Sequence, residues 1–150
     1  EYEKDDLDGI HGLAHARRVA RIGKHLCDQN GADYEVVRVF AYLHDTCRQN
    51  ESIDPQHGLR AARFAYALFK ENKLSLDLSQ FMRLLRACKL HCIEGAECDD
   101  LTVQTCWDAD RLDLWRLNMI PDPELLFTAA GKNSIDFARS LKKYEEPGNL

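Results

Sequence analysis

The sequence predicts an all-α fold, a single-domain bundle of about six to seven helices. Apolar residues recur at helical spacing along nearly all of the 150 residues, which is typical of helices that bury one face. Runs of alternating β-branched and polar residues, the pattern typical of strands, are missing from the sequence. Two Asp-Pro pairs and one Asn-Gly pair then divide the helical pattern into segments.

These start and stop signals predict the helices in order. The first helix ends before Asn30-Gly31, and the second is apolar on nearly every side, so it should lie at the centre of the bundle. Asp54-Pro55 and Asp122-Pro123 each look like an N-cap followed by proline at the first helical position. The predicted helices span residues 10–28, 34–45, 55–70, 79–92, 101–117, 123–131 and 134–143. We assign residues 1–150 to one domain, with a core at about 9–117 and C-terminal helices at 122–144.

Composition restricts the partners that this chain can have. Hydrophobic residues make up 45% and charged residues 30%, as in ordinary globular domains. Twenty Lys and Arg against 25 Asp and Glu leave a net charge of −5, without the basic surplus that long nucleic acids require. No apolar stretch has the length of a membrane span, and the acidic start does not resemble a signal peptide. We therefore predict a cytoplasmic protein that binds neither long nucleic acid nor membrane.

The six cysteines form no C-x-x-C pair and are too sparse for a disulfide-built scaffold. We predict that they are reduced thiols. Cys88, Cys92 and Cys98 surround His91, but structural zinc sites favour a tighter, paired spacing of their ligands. We therefore do not expect these three cysteines to form a zinc site.

Four of the six histidines share a helix face with apolar residues and are predicted to point into the bundle. They are His15, His44, His57 and His91. His25 shares its face with Arg18 and Arg21 and is predicted to be solvated, whereas the orientation of His11 is not fixed by the pattern. A single inward histidine is usually a core residue with one hydrogen bond, but four of them indicate a shared ligand.

Two aspartates repeat this pattern. Asp45 follows His44 at the end of the most apolar helix, and Asp110 shares its face with Trp107, while Asp108 lies on a partly apolar face and is the alternative. An ionised aspartate in a core costs several kcal/mol unless it is paired or coordinates a cation. Histidine and aspartate together favour a divalent transition metal (Fe, Mn, Ni, Co or Zn), with Mg²⁺ possible.

Three segments now carry a resemblance to a known family. H-A-R-R-V at 15–19, L-H-D-T at 43–46 and D-A-D-R-L-D at 108–113 resemble, in this order, the HD-domain superfamily of metal-dependent phosphohydrolases. The resemblance covers about residues 9–117 and favours Asp110 over Asp108. It implies that one ion is held by His15, His44, Asp45 and Asp110. Members with two metals add two histidines between the doublet and the last aspartate, and His57 and His91 occupy that order.

Two branches of the superfamily fit poorly. The chain lacks the G-Y-P loop and the double histidine of the cyclic-dinucleotide branch, since His91 is followed by Cys92. It also lacks the R-L-H-N pattern of the alarmone hydrolases, because Leu112 is followed by Asp113. The closer likeness is to small stand-alone HD phosphohydrolases that act on nucleotides or other phosphate esters.

The resemblance implies hydrolysis of a small-molecule phosphate ester with metal-activated water as the nucleophile. The predicted catalytic residues are Asp45, His57 and Arg48. Asp45 would hold one ion and bridge to a second, and His57 lies near a helix start that attracts phosphate. Arg48 would reach a phosphate oxygen. Arg18 is predicted to fix the first helix by an ion pair. Arg111 and Asp113 are predicted to pair with neighbours and to orient the helix that carries Asp110. Trp107, Trp115 and Phe127 are predicted to lie in the core.

Two alternatives remain open at this point. One is a di-iron oxygenase with the same order of six ligands, and the other is a metal-containing ligand-binding or signalling module without turnover. The sequence does not specify the substrate, the choice between phosphomonoester and phosphodiester, the metal or the number of ions. A homodimer is possible.

Overall fold

The computed structural model describes residues 9–142, and within that range it contains α-helices and short 3₁₀ helices but no strand. The α-helices are α1 (Leu13–Asn30), α2 (Tyr34–Leu43), α3 (His57–Lys70), α4 (Leu78–Leu90), α5 (Leu101–Leu112), α6 (Ala129–Lys132) and α7 (Ile135–Leu141). The 3₁₀ helices are Asp113–Leu117 and Pro123–Leu125. The all-α prediction is confirmed. No helix in the described part of the chain is both long and apolar enough to cross a bilayer.

Helix α2 lies at the centre of the bundle, as its composition predicts. Val36, Val37 and Phe40 on this helix are fully buried, and α2 contacts α1, α4 and α5. Each fully buried side chain of this size stabilises the fold by about 1.5–3 kcal/mol. The central helix is therefore fixed in place, and the residues that follow it have a defined position.

Side-chain caps fix where three of the helices begin. Asp33 accepts a hydrogen bond from the backbone amide of Glu35 at the start of α2. Asp100 does the same for Val103 at the start of α5, and Asp77 forms a capping box with Gln80 at the start of α4.

The predicted start of the third helix is wrong. Asp54 does not cap it, because its carboxylate accepts hydrogen bonds from the backbone of Gln49 and from the side chain of Arg60. Residues 54–56 instead form a turn, and α3 begins at His57. His57 is therefore the first residue of the helix rather than the third.

The C-terminal helices also differ from the prediction. The predicted helix 101–117 changes from α to 3₁₀ geometry after Leu112, and the predicted helix 123–131 is broken into Pro123–Leu125 and α6. The break arises because the backbone amides of Phe127 and Thr128 donate to the carboxylate of Asp108 instead of to a helix. Residue 143 of the predicted last helix lies outside the described residues.

The three aromatic side chains predicted to lie in the core all contact it. Trp107 is 1% exposed and donates to the carbonyl of Ala87, while Trp115 and Phe127 are partly buried and pack against the core. His25 is half-buried and stacks on Phe137, with 3.7 Å between ring centroids. The prediction that His25 is solvated is therefore wrong, because α7 covers it.

Gly23 permits the closest approach of α1 to α2, since a methyl group on it would overlap Cγ1 of Val37. We expect Gly23→Ala to lower the free energy of unfolding by about 1–3 kcal/mol through overpacking. In a Val37→Ala background the same change should instead stabilise the protein by up to about 1 kcal/mol, because alanine is the better helix former. Urea unfolding of the four proteins measures both effects. Destabilisation of equal size in both backgrounds would contradict this packing.

Candidate metal centre

Residues from five segments meet at one end of the bundle. Each lies at or near the end of a helix. They are His15 on α1, His44 and Asp45 directly after α2, His57 at the start of α3, His91 directly after α4 and Asp110 near the end of α5. The structure thus brings together all six side chains that the sequence predicts as metal ligands.

One group of ligand atoms forms around His15 and His44, which are each 1% exposed. Their Nε2 atoms are 3.2 Å apart. Oδ1 of Asp110 lies 3.3 Å from the Nε2 atom of His15 and 3.4 Å from that of His44. Oδ2 of Asp45 lies 3.6 and 3.5 Å from the same two nitrogens. We call these four residues the first group.

A second group uses the other oxygen of Asp45. Its Oδ1 atom lies 3.1 Å from Nε2 of His57 and 3.6 Å from Nε2 of His91. The two imidazole nitrogens are themselves 2.8 Å apart. Asp45 therefore offers one carboxylate oxygen to each group, which is the geometry expected of a residue shared by two ions.

The hydrogen bonds at Nδ1 of the four histidines explain why their Nε2 atoms suit a cation. Each Nδ1 atom faces an oxygen acceptor: Asp113 Oδ2 for His15, and the carbonyls of Phe40, Asp54 and Cys88 for His44, His57 and His91. An acceptor at Nδ1 requires a proton there, so in a neutral ring the lone pair is on Nε2. Four lone pairs and two carboxylates then face one another without a donor among them. These imidazole nitrogens and carboxylate oxygens are ligands that fit a divalent transition metal.

The carboxylate of Asp113 contacts His15 on the side of the ring that faces away from the first group. It is 2% exposed, and while one oxygen accepts from Nδ1 of His15 at 2.7 Å, the other accepts from Nε of Arg18 at 2.7 Å. These contacts fix the orientation and tautomer of the His15 ring. The pairings predicted for Arg18 and Asp113 are thus present, whereas Arg111 donates to the carbonyl of Leu125.

The electrostatics of the metal-free centre show how strongly it attracts positive charge. Burial disfavours the imidazolium of His44, but the charges of Asp45 and Asp110 outweigh it and raise its pKa to about 9. Burial alone would raise the pKa of both carboxyl groups, yet the neighbouring histidines lower each pKa below its usual value. For His91, burial dominates and lowers the pKa. A proton on His44 thus supplies part of the positive charge that the two carboxylates attract.

Arg48 already brings one positive charge to the second group. Its Nη1 atom lies 3.1 Å from Nε2 of His57 and 3.5 Å from Oδ1 of Asp45. The carbonyls of Asn50 and Ser52 accept hydrogen bonds from the same guanidinium. The guanidinium therefore places a positive charge against His57 Nε2 and Asp45 Oδ1. A metal ion bound to these two atoms would compete with it.

The two candidate aspartates of α5 have different surroundings. Asp108 is fully buried, but its carboxylate accepts three hydrogen bonds, from the amides of Phe127 and Thr128 and from the Thr128 hydroxyl, at 2.7–2.8 Å. Burial dominates at Asp108 and raises its pKa, whereas the neighbouring histidines lower the pKa of Asp110. Asp108 thus holds the segment before α6 in place, and Asp110 faces the histidines.

Two residues at the centre were not assigned a role from the sequence. Nδ1 of His11 lies 2.8 Å from Oδ2 of Asp45, and its Nε2 atom lies 3.7 Å from Oε2 of Glu51. The spacing of His11 to His15 was visible in the sequence, although the start of a helix does not fix a side-chain direction. Glu51 gave no signal, because it lies in a polar loop without periodicity.

A cavity of about 230 Å³ opens beside the first group. Its walls include three residues of the first group, His15, His44 and Asp45, together with His11, Tyr42, Thr46, Arg48 and Glu51. A larger groove, about 810 Å³, lies along the outer faces of α3 and α4 and includes none of the six predicted ligands. The smaller cavity is the better candidate for a substrate site, because reactive groups line it.

Comparisons with known proteins agree with this geometry. A model of the HD domain family matches residues 12–115, a range that contains all six predicted ligands. A solved structure, of a predicted HD superfamily hydrolase from an uncultured Thermotogales bacterium, superposes with a TM-score of 0.70 at 24% sequence identity. That superposition covers 93% of this chain and 80% of the other, and it shows a common fold. No curated protein matches the chain.

We expect Asp113→Asn to weaken binding of Mn²⁺ by about 10–100-fold, because the acceptor that orients His15 loses its charge. Isothermal titration calorimetry on the chelator-treated protein measures this affinity. Asp136→Asn is the matched control, since it removes the same charge from an exposed position on α7. Equal Mn²⁺ affinities of the two variants would show that Asp113 does not support the ligand.

The raised pKa of His44 predicts a pH dependence of the metal-free protein. A group whose folded-state pKa exceeds its unfolded value stabilises the fold below the unfolded pKa, and that contribution is lost as pH rises through the folded pKa. The free energy of unfolding should therefore fall between pH 6.5 and 9, by an amount on the order of 1–3 kcal/mol. Urea unfolding after chelation measures it.

His44→Asn should remove most of this pH dependence, while His25→Asn should retain it because His25 lies outside the centre. A stability that is flat or rising over the same pH range in the wild type would contradict the assignment of the proton to His44.

Proposed function

This chain belongs to the HD domain family, and we propose that it is a metal-dependent phosphohydrolase that cleaves a phosphate ester of a nucleotide or a small phosphorylated metabolite. One observation carries the proposal: four imidazole Nε2 atoms and the carboxylates of Asp45 and Asp110 converge without a hydrogen-bond donor of their own. Such a set of acceptors is stable in a protein interior when a cation neutralises it.

The two groups divide the ligands between two ion positions. His15, His44, Asp45 and Asp110 would hold one ion, and Asp45, His57 and His91 would hold another. Nitrogen and carboxylate ligands suit Fe, Mn, Co, Ni or Zn, and Mg²⁺ is the weaker candidate. Such ions supply a nucleophilic water at neutral pH and neutralise charge on the phosphate oxygens.

The residues around the ligands prepare the centre before any substrate arrives. The acceptors at the four Nδ1 atoms hold a proton on each Nδ1 and direct the Nε2 atoms inward. His15 and His44 are almost fully shielded from solvent, so electrostatic interactions inside the centre are stronger than in water. The ligands thus need little rearrangement to hold an ion.

Arg48 is the residue that we assign to the substrate phosphate. Its guanidinium lies at the edge of the 230 Å³ cavity and contacts Asp45 and His57. A planar guanidinium binds two phosphate oxygens at once, and the positive end of α3, which begins at His57, favours a phosphate at the same place. Arg48 would then exchange its contact with the second group for one with the phosphate.

The size of the cavity supports a small substrate. At about 230 Å³ it lies below the roughly 300–1,000 Å³ of typical ligand pockets, so it would accommodate a phosphate and part of its ester group. The net charge of −5 also disfavours a long polyanion. We therefore propose a small-molecule phosphate ester as the partner of this site.

A screen of phosphomonoesters and phosphodiesters with Mn²⁺, Fe²⁺, Co²⁺, Ni²⁺ and Mg²⁺ tests the proposal. We expect the wild type to hydrolyse at least one ester, releasing phosphate from a monoester or an alcohol and a monoester from a diester. Asp110→Asn should lose more than about a hundredfold in kcat/KM, since even the partners of metal ligands contribute 10–100-fold. Asp100→Asn is the matched control at the start of the same helix, where the aspartate caps α5 and does not reach the centre.

The same screen separates phosphohydrolysis from the other functions open to this fold. Hydrolysis of a phosphate ester in the absence of molecular oxygen supports the proposal. Oxygen consumption that depends on Fe²⁺, without phosphate release, would identify an oxygenase and contradict it. Thermal stabilisation by a phosphate ester that is never converted would identify a binding module and would also contradict it.

A further inference from the structure

A cysteine lies beside the second group. His57, His91 and Cys92 each offer one ligand atom, and these atoms lie within 4.8 Å of one another. Cys92 directly follows His91 after the end of α4, and it is half-buried. A sulfur atom is thus available where the remaining ligands are nitrogen and oxygen.

A glycine permits the sulfur to come this close. Gly58 follows His57 at the start of α3, and a Cβ atom on it would lie 2.9 Å from Sγ of Cys92. The same Cβ would overlap the carbonyl of Cys88. The start of α3 and the end of α4 therefore approach each other only because residue 58 has no side chain. That approach also sets the 2.8 Å distance between the Nε2 atoms of His57 and His91.

The charges of the two groups are unequal. The first group contains two carboxylates, whereas the second has only one oxygen of the shared Asp45 beside two imidazoles. The guanidinium of Arg48 brings a positive charge to the second group. A divalent ion there would lack a negative ligand of its own. A thiolate would supply that charge.

We infer that Cys92 is a thiolate ligand of the second ion position and makes this position prefer thiophilic ions such as Zn²⁺ or Co²⁺ to Mg²⁺. The thiol of Cys92 donates to the carbonyl of Pro55, with 3.7 Å between sulfur and oxygen. On ligation the S–H bond breaks, its proton leaves to solvent and a bond forms between sulfur and the metal. Together His57, His91, Asp45 and Cys92 provide four ligands, the number that Zn²⁺ prefers.

The neighbouring cysteines do not share this position. Cys88 is fully buried. Cys98 accepts hydrogen bonds from Arg86 and from the backbone of Asp100. Cys98 is half-buried like Cys92 and belongs to the same segment between α4 and α5, so Cys98→Ser is a matched control for Cys92→Ser.

This inference rests on the proposed function only in requiring that the centre binds ions, and spectroscopy tests it without an activity assay. The full chain is treated with chelator and titrated with Co²⁺. We expect a thiolate-to-cobalt charge-transfer band in the near ultraviolet for the wild type and for Cys98→Ser, and its absence in Cys92→Ser. The variant should still bind Co²⁺ at the first group, with visible bands from nitrogen and oxygen ligands.

Competition titrations measure the preference for metals. Cys92→Ser should lower the affinity of the second position for Zn²⁺ at least about tenfold, while the affinity for Mg²⁺ changes much less, because a hydroxyl is a poor ligand for soft ions. Equal losses for both ions would overturn the inference. In the unaltered protein, Zn²⁺ should also protect Cys92 from alkylation but leave Cys98 reactive, as mapped by mass spectrometry.

The outcomes separate this inference from the proposed function. Binding of Co²⁺ without a charge-transfer band, or a band that persists in Cys92→Ser, would overturn the role of Cys92 and leave the metal centre standing. Absence of any Co²⁺ binding would overturn both.

Discussion

The structure depends on the convergence of buried acceptors around the carboxylate of Asp45. Its two oxygens face two groups of imidazole nitrogens, and the opposite side of each ring is already committed to another acceptor. Burying so many acceptors and charges together is unfavourable on its own, because water would otherwise solvate them. A cation bound between them would offset that cost, and for this reason these atoms form the candidate metal centre.

The bundle meets this constraint by placing ligands at helix ends. The short, apolar α2 holds His44 and Asp45 at a fixed depth, and the starts and ends of α3, α4 and α5 bring in the other ligands. Close helix contacts at Gly23 and Gly58 make the approach possible. Asp113 and Arg18 then fix the ring of His15. The packing of the apolar core thus sets the distances between the candidate ligand residues, and the hydrogen bonds set the orientations of their rings.

Much of this could be predicted from the sequence, because periodicity reports which face of a helix is buried. That signal placed all four of His15, His44, His57 and His91 inside, and the family resemblance ordered the predicted ligands. Local signals failed where tertiary contacts compete with them. Asp54 binds Gln49 and Arg60 instead of capping a helix, and Asp108 takes the backbone amides that would have continued the predicted helix 123–131. The contact of His11 with Asp45 and the nearness of Cys92 to His57 depend on loop paths that no local pattern specifies.

A crystal structure of the protein grown with Mn²⁺, recorded on both sides of the manganese absorption edge, tests the central claim most directly. The account predicts an anomalous peak within bonding distance of Nε2 of His15 and His44 and of the carboxylates of Asp45 and Asp110. A well-ordered centre with no anomalous peak among these four residues, or with the ion bound only elsewhere on the protein, would contradict it.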